Sequence, residues 1–457
     1  GVIAWSLHTM LAGAAVVFLL SVVPLPERWN GRDGEHGNRK NVLRLLRFPV
    51  FWFSALFLVY ITIQGLNPAW EQQRNADGWW MERVAHIEWL PSGADTDYEP
   101  MNAFRVVAHF GAAFLLVWGL WAGLRRRSAV LLVLWTFVVS GVAMALTAIV
   151  QQFTGATEVL WSIPSENDKF WGSFFYRNQA GAYLVVVMAA SAFLYFFHFN
   201  RAEERAASGG PHMLLFLFVA AVATSVGLAL SRGGILFGGT VAVLFLVAAV
   251  ARRLLALGTR NSLLLSVIAG ALLAGGAAVA LQYVDVEAIE ERFGDIGETI
   301  ETADEDSRVI ATKATLEMAG DRLCYGWGAG AWRYIFPMYQ KSYPEIYYAR
   351  YHPRRGWIGR KFYRYAHNDI AQFLAEYGVV GCSLLLLVFG YWVFSLLVRS
   401  SGNAMAAVML LLGMAAAFGH AFVEFIFQSP AFWVAFNGLL CCGAKLLALH
   451  HERTRFV

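Results

Sequence analysis

Charge is what this chain has little of. Only 15% of its 457 residues are Asp, Glu, Lys or Arg, against about 25% in an ordinary soluble domain. The net charge of +4 says little by itself; where the charges lie says more, and no nucleic-acid partner is expected. Cysteine is scarce too. Cys382, Cys441 and Cys442 fall in apolar runs and Cys324 in a long loop, so there is neither a disulfide framework nor a CxxC metal signature. No HExxH occurs, and neither a metal nor another cofactor is expected. There is no tandem repeat and no low-complexity tract. The sequence opens at Gly1 inside an apolar run, without a Met and without a basic n-region. The natural N-terminus, and with it one more span, is therefore expected upstream.

What the chain has is apolar length. Hydrophobic residues make up 58% and aromatics 15%, with a mean hydropathy of +0.50. The apolar residues gather in runs of roughly 18–23, enough to cross a hydrocarbon core about 30 Å thick. Eleven candidate spans follow: about 2–23, 48–65, 103–124, 129–150, 179–199, 212–230, 233–250, 262–283, 379–398, 403–424 and 430–449. Lipid requires backbone hydrogen bonds to be satisfied internally, so these read as helices. They are too long and too continuously apolar for barrel strands. The expected fold is an all-α polytopic membrane protein with about 11 helices, 12 in the full protein. Its expected divisions are helices 1–8 over 1–283, a large helical outer loop over 284–378, and helices 9–11 over 379–457.

Orientation follows from Lys and Arg in the short loops. The basic or mixed segments 27–47, 125–127, 200–212 and 251–261, with the C-terminal "HHERTRF", share one side, the cytoplasm. Segments 66–102, 151–178 and 284–378 and two tight turns lie on the other. The first of these carries seven acids against Arg74 and Arg83.

Several polar groups stand at the outer helix mouths. Arg232 of "SRGG" sits in a two- or three-residue turn before an apolar run. It reads either as an arginine snorkelling to water or as a fork for phosphate, helped by the free N–H groups of the next helix. Arg308 of "SRVIATKATLEMAGD" goes against a helix dipole; it pairs with Asp304 or Glu305, or with a ligand. Arg177 and Asn178 of "FFYRNQAG" form a cap within an aromatic belt, or part of an anion cradle. In "YAHNDIAQFLAEYGVVG" (365–381), Asp369 and Gln372 fit a capping box and Gly378 a helix stop. His367 precedes that cap and has no such duty. A histidine's ordinary pKa, about 6.5, suits a general base, although a lone histidine at a helix entry is more often structural. Finally, Glu424 lies in an apolar run with His420 one turn before it, on the same helix face. An ionisable pair inside a span is a functional candidate or a buried structural pair.

These stretches together resemble the O-antigen ligase and polymerase superfamily of bacterial glycan enzymes. The resemblance rests on "GSFFYRNQAGAYL", "ALSRGGILFG", "SRVIATKATLEMAGDRLCYGWGAGAWRYIFPMY", "AHNDIAQFLAEYGVVG" and "GHAFVEFIFQSPA", in that order, with a large outer loop late in the chain. It covers roughly 170–435. It implies a fold related to the GT-C-type glycosyltransferases and a multi-pass protein of the bacterial inner membrane. It implies a glycan donor on undecaprenyl diphosphate, an acceptor glycan or lipid A core, and chemistry facing the periplasm. It assigns Arg232, Arg308 and Arg177 to the donor diphosphate and His367 to the base. Asn178, Asn368, Asp369, Glu424 and His420 are supporting residues. Glu424 stands where relatives often have Asp, and Cys324 where many have Pro. Trp332, Tyr334, Tyr347, Tyr348 and Trp357 are candidates to stack on sugar rings or to anchor at the interface. The acceptor stays open between ligase, polymerase and protein O-oligosaccharyltransferase. A transporter is the rival from another class; the absence of internal repeats goes against it.

Overall fold

The computed structural model describes residues 4–23, 34–165, 167, 169–205, 209–257, 307–352 and 356–454. The chain runs α1 (Ala4–Val22), α2 (Gly34–Leu46), α3 (Pro49–Leu66), then strands β1 (Pro68–Asn75), β2 (Gly78–Arg83) and β3 (Gly93–Asp95). Helices α4 (Ala103–Gly123), α5 (Arg127–Phe153), α6 (Arg177–Glu204), α7 (Pro211–Leu228) and α8 (Arg232–Leu257) follow. The segment between α8 and α13 contributes α9 (Ser307–Asp321), the short helices α10 (Trp332–Ile335), α11 (Pro337–Gln340) and α12 (Pro344–Tyr347), and the hairpin β4 (Tyr348–His352) and β5 (Gly356–Arg360). Helices α13 (Asp369–Val398), α14 (Ala404–Ala421) and α15 (Pro430–Thr454) complete the chain.

Among the described residues nine helices are long and apolar enough to cross a membrane: α3 to α8 and α13 to α15. Helix α1 adds a shorter apolar stretch, Ser6–Val22. The expected span 262–283 lies outside the described residues, as do Asp304 and Glu305. Two expected boundaries change. The run at 379–398 belongs to the longer α13, and the run at 403–424 ends as a helix at Ala421.

The protein is mostly rather than wholly helical, and both sheets lie in segments expected outside the bilayer. Strand β1 pairs antiparallel with β2 and parallel with β3, and β4 pairs with β5. The turn into β2 is built by Asn75, whose side chain accepts from the N–H groups of Asp77 and Gly78, as Asx turns do. Water satisfies a short strand's edges there, so the rule that restricts lipid-embedded backbone to helices does not apply.

Helix α6 is the hub. Its most apolar stretch is 94% buried, against 28% for α8 at the lipid-facing periphery. A helix apolar all round belongs in the interior, and small residues let neighbours approach it. A Cβ on Gly413 of α14 would lie 2.4 Å from that of Ala189.

Helix α13 breaks at Gly378, where φ is 60° and ψ −171°. The break frees carbonyls that lipid could not satisfy, and the outer loop satisfies them. Trp327 N–H donates to Ala375 O at 2.8 Å and Gly328 N–H to Glu376 O at 2.9 Å. In return, Val379 N–H donates to Leu323 O at 2.8 Å. Helix α3 closes the joint: the Tyr60 hydroxyl donates to the carbonyls of Tyr325 and Tyr377, and Gln64 Nε2 to those of Tyr325 and Glu376. Gly326 also has positive φ, and a Cβ there would sit 2.4 Å from Glu376 O.

Gly326→Ala and Gly378→Ala should therefore each lower stability by about 1–3 kcal/mol, from left-handed strain and backbone overlap. Thermal melts in detergent measure this; a wild-type melting temperature for both would show that the joint does not need these glycines.

Candidate active site

Five segments meet at the end of the bundle where α6, α8 and α9 begin. Their centre is the carboxylate of Glu424. It is not inside a span, as the sequence suggests, because α14 stops at Ala421. Glu424 lies in the connection from α14 to α15, yet its side chain is only 3% exposed. The i, i+4 pairing with His420 on one helix face is thus replaced by a helix-end arrangement, with His420 in the last turn of α14.

Both oxygens of Glu424 have partners. Arg308 Nη1 is 3.0 Å from Oε1, and Asn178 Nδ2 donates to the same oxygen at 2.5 Å. Around Oε2 are the Tyr176 hydroxyl, donating at 3.4 Å, and His367 Nδ1 at 3.5 Å. Burial alone would raise this carboxyl's pKa; the His367 contact and the Arg308 charge outweigh burial and hold it below the ordinary carboxylate value. Glu424 is therefore an anion at neutral pH. Burial, and then the Glu424 charge, push the Tyr176 phenol up to about 12, so it stays a neutral donor.

Local structure explains how these groups arrive. Arg177 is the first residue of α6, and the preceding Tyr176 makes no side-chain cap. Asn178 does not cap either; its amide reaches across to Tyr176 and Glu424. Arg232 begins α8 behind Ser231, whose hydroxyl accepts from Gly234 N–H. Gly233 packs against His420, since a Cβ there would lie 2.4 Å from His420 Nε2. Arg177, Arg232 and Arg308 are all half-buried. His367 has φ of 56°, a costly conformation for a non-glycine residue, of the kind that clusters at functional sites.

The cap falls one residue from its expected place, and no capping box forms, since Ala371 cannot return the bond. Asn368 is the cap of α13, accepting from Ala371 N–H at 3.0 Å. Gln372 instead accepts from Ala366 N–H. Asp369, fully buried, accepts from Phe427 N–H at 2.7 Å and from Gln428 Nε2 at 3.1 Å. It ties the His367 segment to the Glu424 segment rather than ending a helix.

Several contributors carry no sequence signal of their own. Phe425 is stacked between Tyr176 and Tyr365, at 4.9 and 4.7 Å, with the His367 ring edge-on at 4.9 Å. Tyr176 and Tyr365 each lie within two residues of a group the sequence does single out, and that adjacency is their only signal. Two of the five aromatics considered for sugar stacking are core residues. Trp332 is fully buried against Phe336, and Tyr334 is buried with its hydroxyl on Met101 O. Tyr347 and Tyr348 are half-buried; the Trp357 side chain lies outside the described residues. Among the described residues no three His, Cys, Asp or Glu converge as a metal set.

The arrangement offers a cation and an imidazole on one buried anion, at a rim reached from outside the bundle. The O-antigen ligase family model matches residues 216–386. The resemblance to that superfamily of membrane glycan-processing enzymes thus holds over the stretch carrying Arg232, Arg308 and His367. No curated protein matches the chain.

A carboxyl held below its unfolded value adds stability above that value and loses it as pH falls through the folded pKa. The melting temperature of the wild type should therefore drop more steeply than that of Glu424→Gln as pH falls from about 5 towards 3. At neutral pH the variant should be less stable by roughly 1–3 kcal/mol. Parallel curves would mean that Glu424 is not the depressed carboxyl.

Proposed function

We propose that this protein is a membrane glycosyltransferase of the O-antigen ligase type. In this reading it moves a glycan from undecaprenyl diphosphate to an acceptor hydroxyl at the periplasmic face of the bacterial inner membrane. The observation that carries it is the joining of His367 and Arg308 through one buried carboxylate, Glu424. The proposed frame is GT-C-like: helical blocks over 1–283 and 379–457 hold the outer loop 284–378, with the catalytic groups at their junction.

The chemistry follows from the geometry. An Nδ1–H directed at Glu424 leaves the lone pair of His367 on Nε2. That nitrogen takes the proton of the acceptor hydroxyl while its oxygen forms a bond to the anomeric carbon. The bond from that carbon to the diphosphate oxygen breaks, and its electron pair leaves with the diphosphate. A diphosphate needs no general acid, only cations for its growing charge. Arg308, with Arg232 and Arg177 at the starts of α8 and α6, are assigned that duty. Glu424 stabilises the imidazolium that results and keeps Arg308 in place. Asn178, Tyr176 and Asp369 hold Glu424 and its loop, Asn368 caps the helix behind His367, and His420 supports the α8 start through Gly233.

A lipid A core sugar as acceptor makes this a ligase, the end of another lipid-linked glycan a polymerase, and a protein hydroxyl an O-oligosaccharyltransferase. A transporter needs no base, and the polar cluster lies at the rim rather than at the bundle's middle.

The test uses purified protein, a lipid-linked donor and a saccharide acceptor. His367→Ala should lose about 10²–10⁴-fold in turnover while donor affinity is kept. Arg308→Lys and Arg232→Lys should weaken donor binding, because a point charge does not reproduce the planar fork. Near-normal transfer by His367→Ala would remove the base and reopen the transporter reading.

A further inference from the structure

Arg333 is a buried cation that the mechanism above does not use. The residue is 6% exposed, and among the described residues no carboxylate pairs with it. Its guanidinium donates one long hydrogen bond, 3.3 Å, to Arg364 O and lies 5.2 Å from the Tyr365 ring centroid. A guanidinium has five N–H donors, and a buried charge without a partner is costly. Support of one carbonyl does not account for it.

Arg333 lines a small cavity together with Arg364, Tyr365, Gln372, Glu376 and Gln428. Arg364 is exposed and Tyr365 and Gln428 are half-buried, so the cavity opens on their side; Gln372 and Glu376 are buried at its floor. The cavity adjoins the cluster around Glu424. Tyr365 stacks on Phe425, which meets the His367 ring, and Gln428 donates to Asp369. Glu376 accepts from Trp332 N–H and from Gln372 Nε2, so the protein's own donors engage the acid at the floor, and Arg333 and Arg364 outnumber it.

We propose that this cavity is the acceptor subsite and that Arg333 receives an acidic substituent, a carboxylate or phosphate, of the acceptor saccharide. The cavity has room for about one water, so one oxygen of the acidic group reaches into it towards Arg333, and the rest of the saccharide stays outside, beside His367. The proposal rests on the transferase reading, because it supplies that reaction's second substrate.

The same anion chemistry would suit the donor diphosphate, so the test must separate the two sources. Saturation-transfer NMR on the full chain in detergent compares glucose 6-phosphate and glucuronate with glucose, with and without saturating undecaprenyl diphosphate. Both acidic probes should bind, glucose should not, and undecaprenyl diphosphate should displace neither probe. Arg333→Met should weaken the acidic probes at least about tenfold and leave undecaprenyl diphosphate affinity unchanged. Arg333→Lys should fall between the two. Displacement by undecaprenyl diphosphate would place the probes in the donor site and overturn the assignment. Equal binding of glucose would overturn it as well, as would unchanged probe affinity in a folded Arg333→Met. If Arg333→Met does not fold, the wild-type competition and Arg333→Lys still decide. No transfer is measured, so failure of the transferase reading and failure of this one give different results.

Discussion

The rim of the bundle is organised around a helix that must stop being a helix. At Gly378 the backbone of α13 leaves the helical region, and the carbonyls before it need donors that hydrocarbon cannot supply. The 323–330 segment supplies N–H groups as a strand would, and Tyr60 and Gln64 of α3 supply side chains. Each acceptor therefore names the group that must sit against it. The outer loop is positioned by hydrogen bonds of fixed geometry rather than by apolar contact alone. That fixes the end of α9, the helix whose first turn carries Arg308.

Two acidic side chains then divide the work of holding the segments around His367 and Arg308. Glu424 is surrounded by groups that favour its charge, and one of them, Arg308, is half-exposed. Asp369 is fully buried and held by one amide N–H and one side-chain amide. The first is a junction between functional groups; the second is a clamp between chain segments. Buried polar and charged groups add little net stability when partnered and cost much when a partner is lost. Their presence here is better explained by the register they impose: a shift of residues 422–429 against His367 would break both sets of bonds.

Much of the bundle was legible because lipid leaves few options. Ten of the eleven expected spans coincide with described helices, and the eleventh lies outside the described residues. Boundaries failed where a polar site interrupts an apolar run, at 369–378 and 421–424, since hydropathy does not register a helix that breaks for a partner. The strands were missed because segments outside the bilayer are free of the helix rule, and their signal is a turn such as "NADG" rather than a long period. At the site, His367, Arg308, Arg232 and Glu424 stood out as charges in unexpected places. Phe425 and Tyr365 did not, because an aromatic in an aromatic-rich chain looks like any other. Asp369 was noticed for a cap that Asn368 in fact provides; composition alone does not tell two adjacent polar residues apart.

The cluster around Glu424 also dictates an order of assembly. Tyr176 and Asn178 stand 248 and 246 residues before the carboxylate they contact. Synthesis runs from the N-terminus, so both are made well before that carboxylate. Arg308 and His367 also precede Glu424 in the chain. The cluster therefore closes only when the connection between the last two helices, which carries Glu424, folds back across the rim.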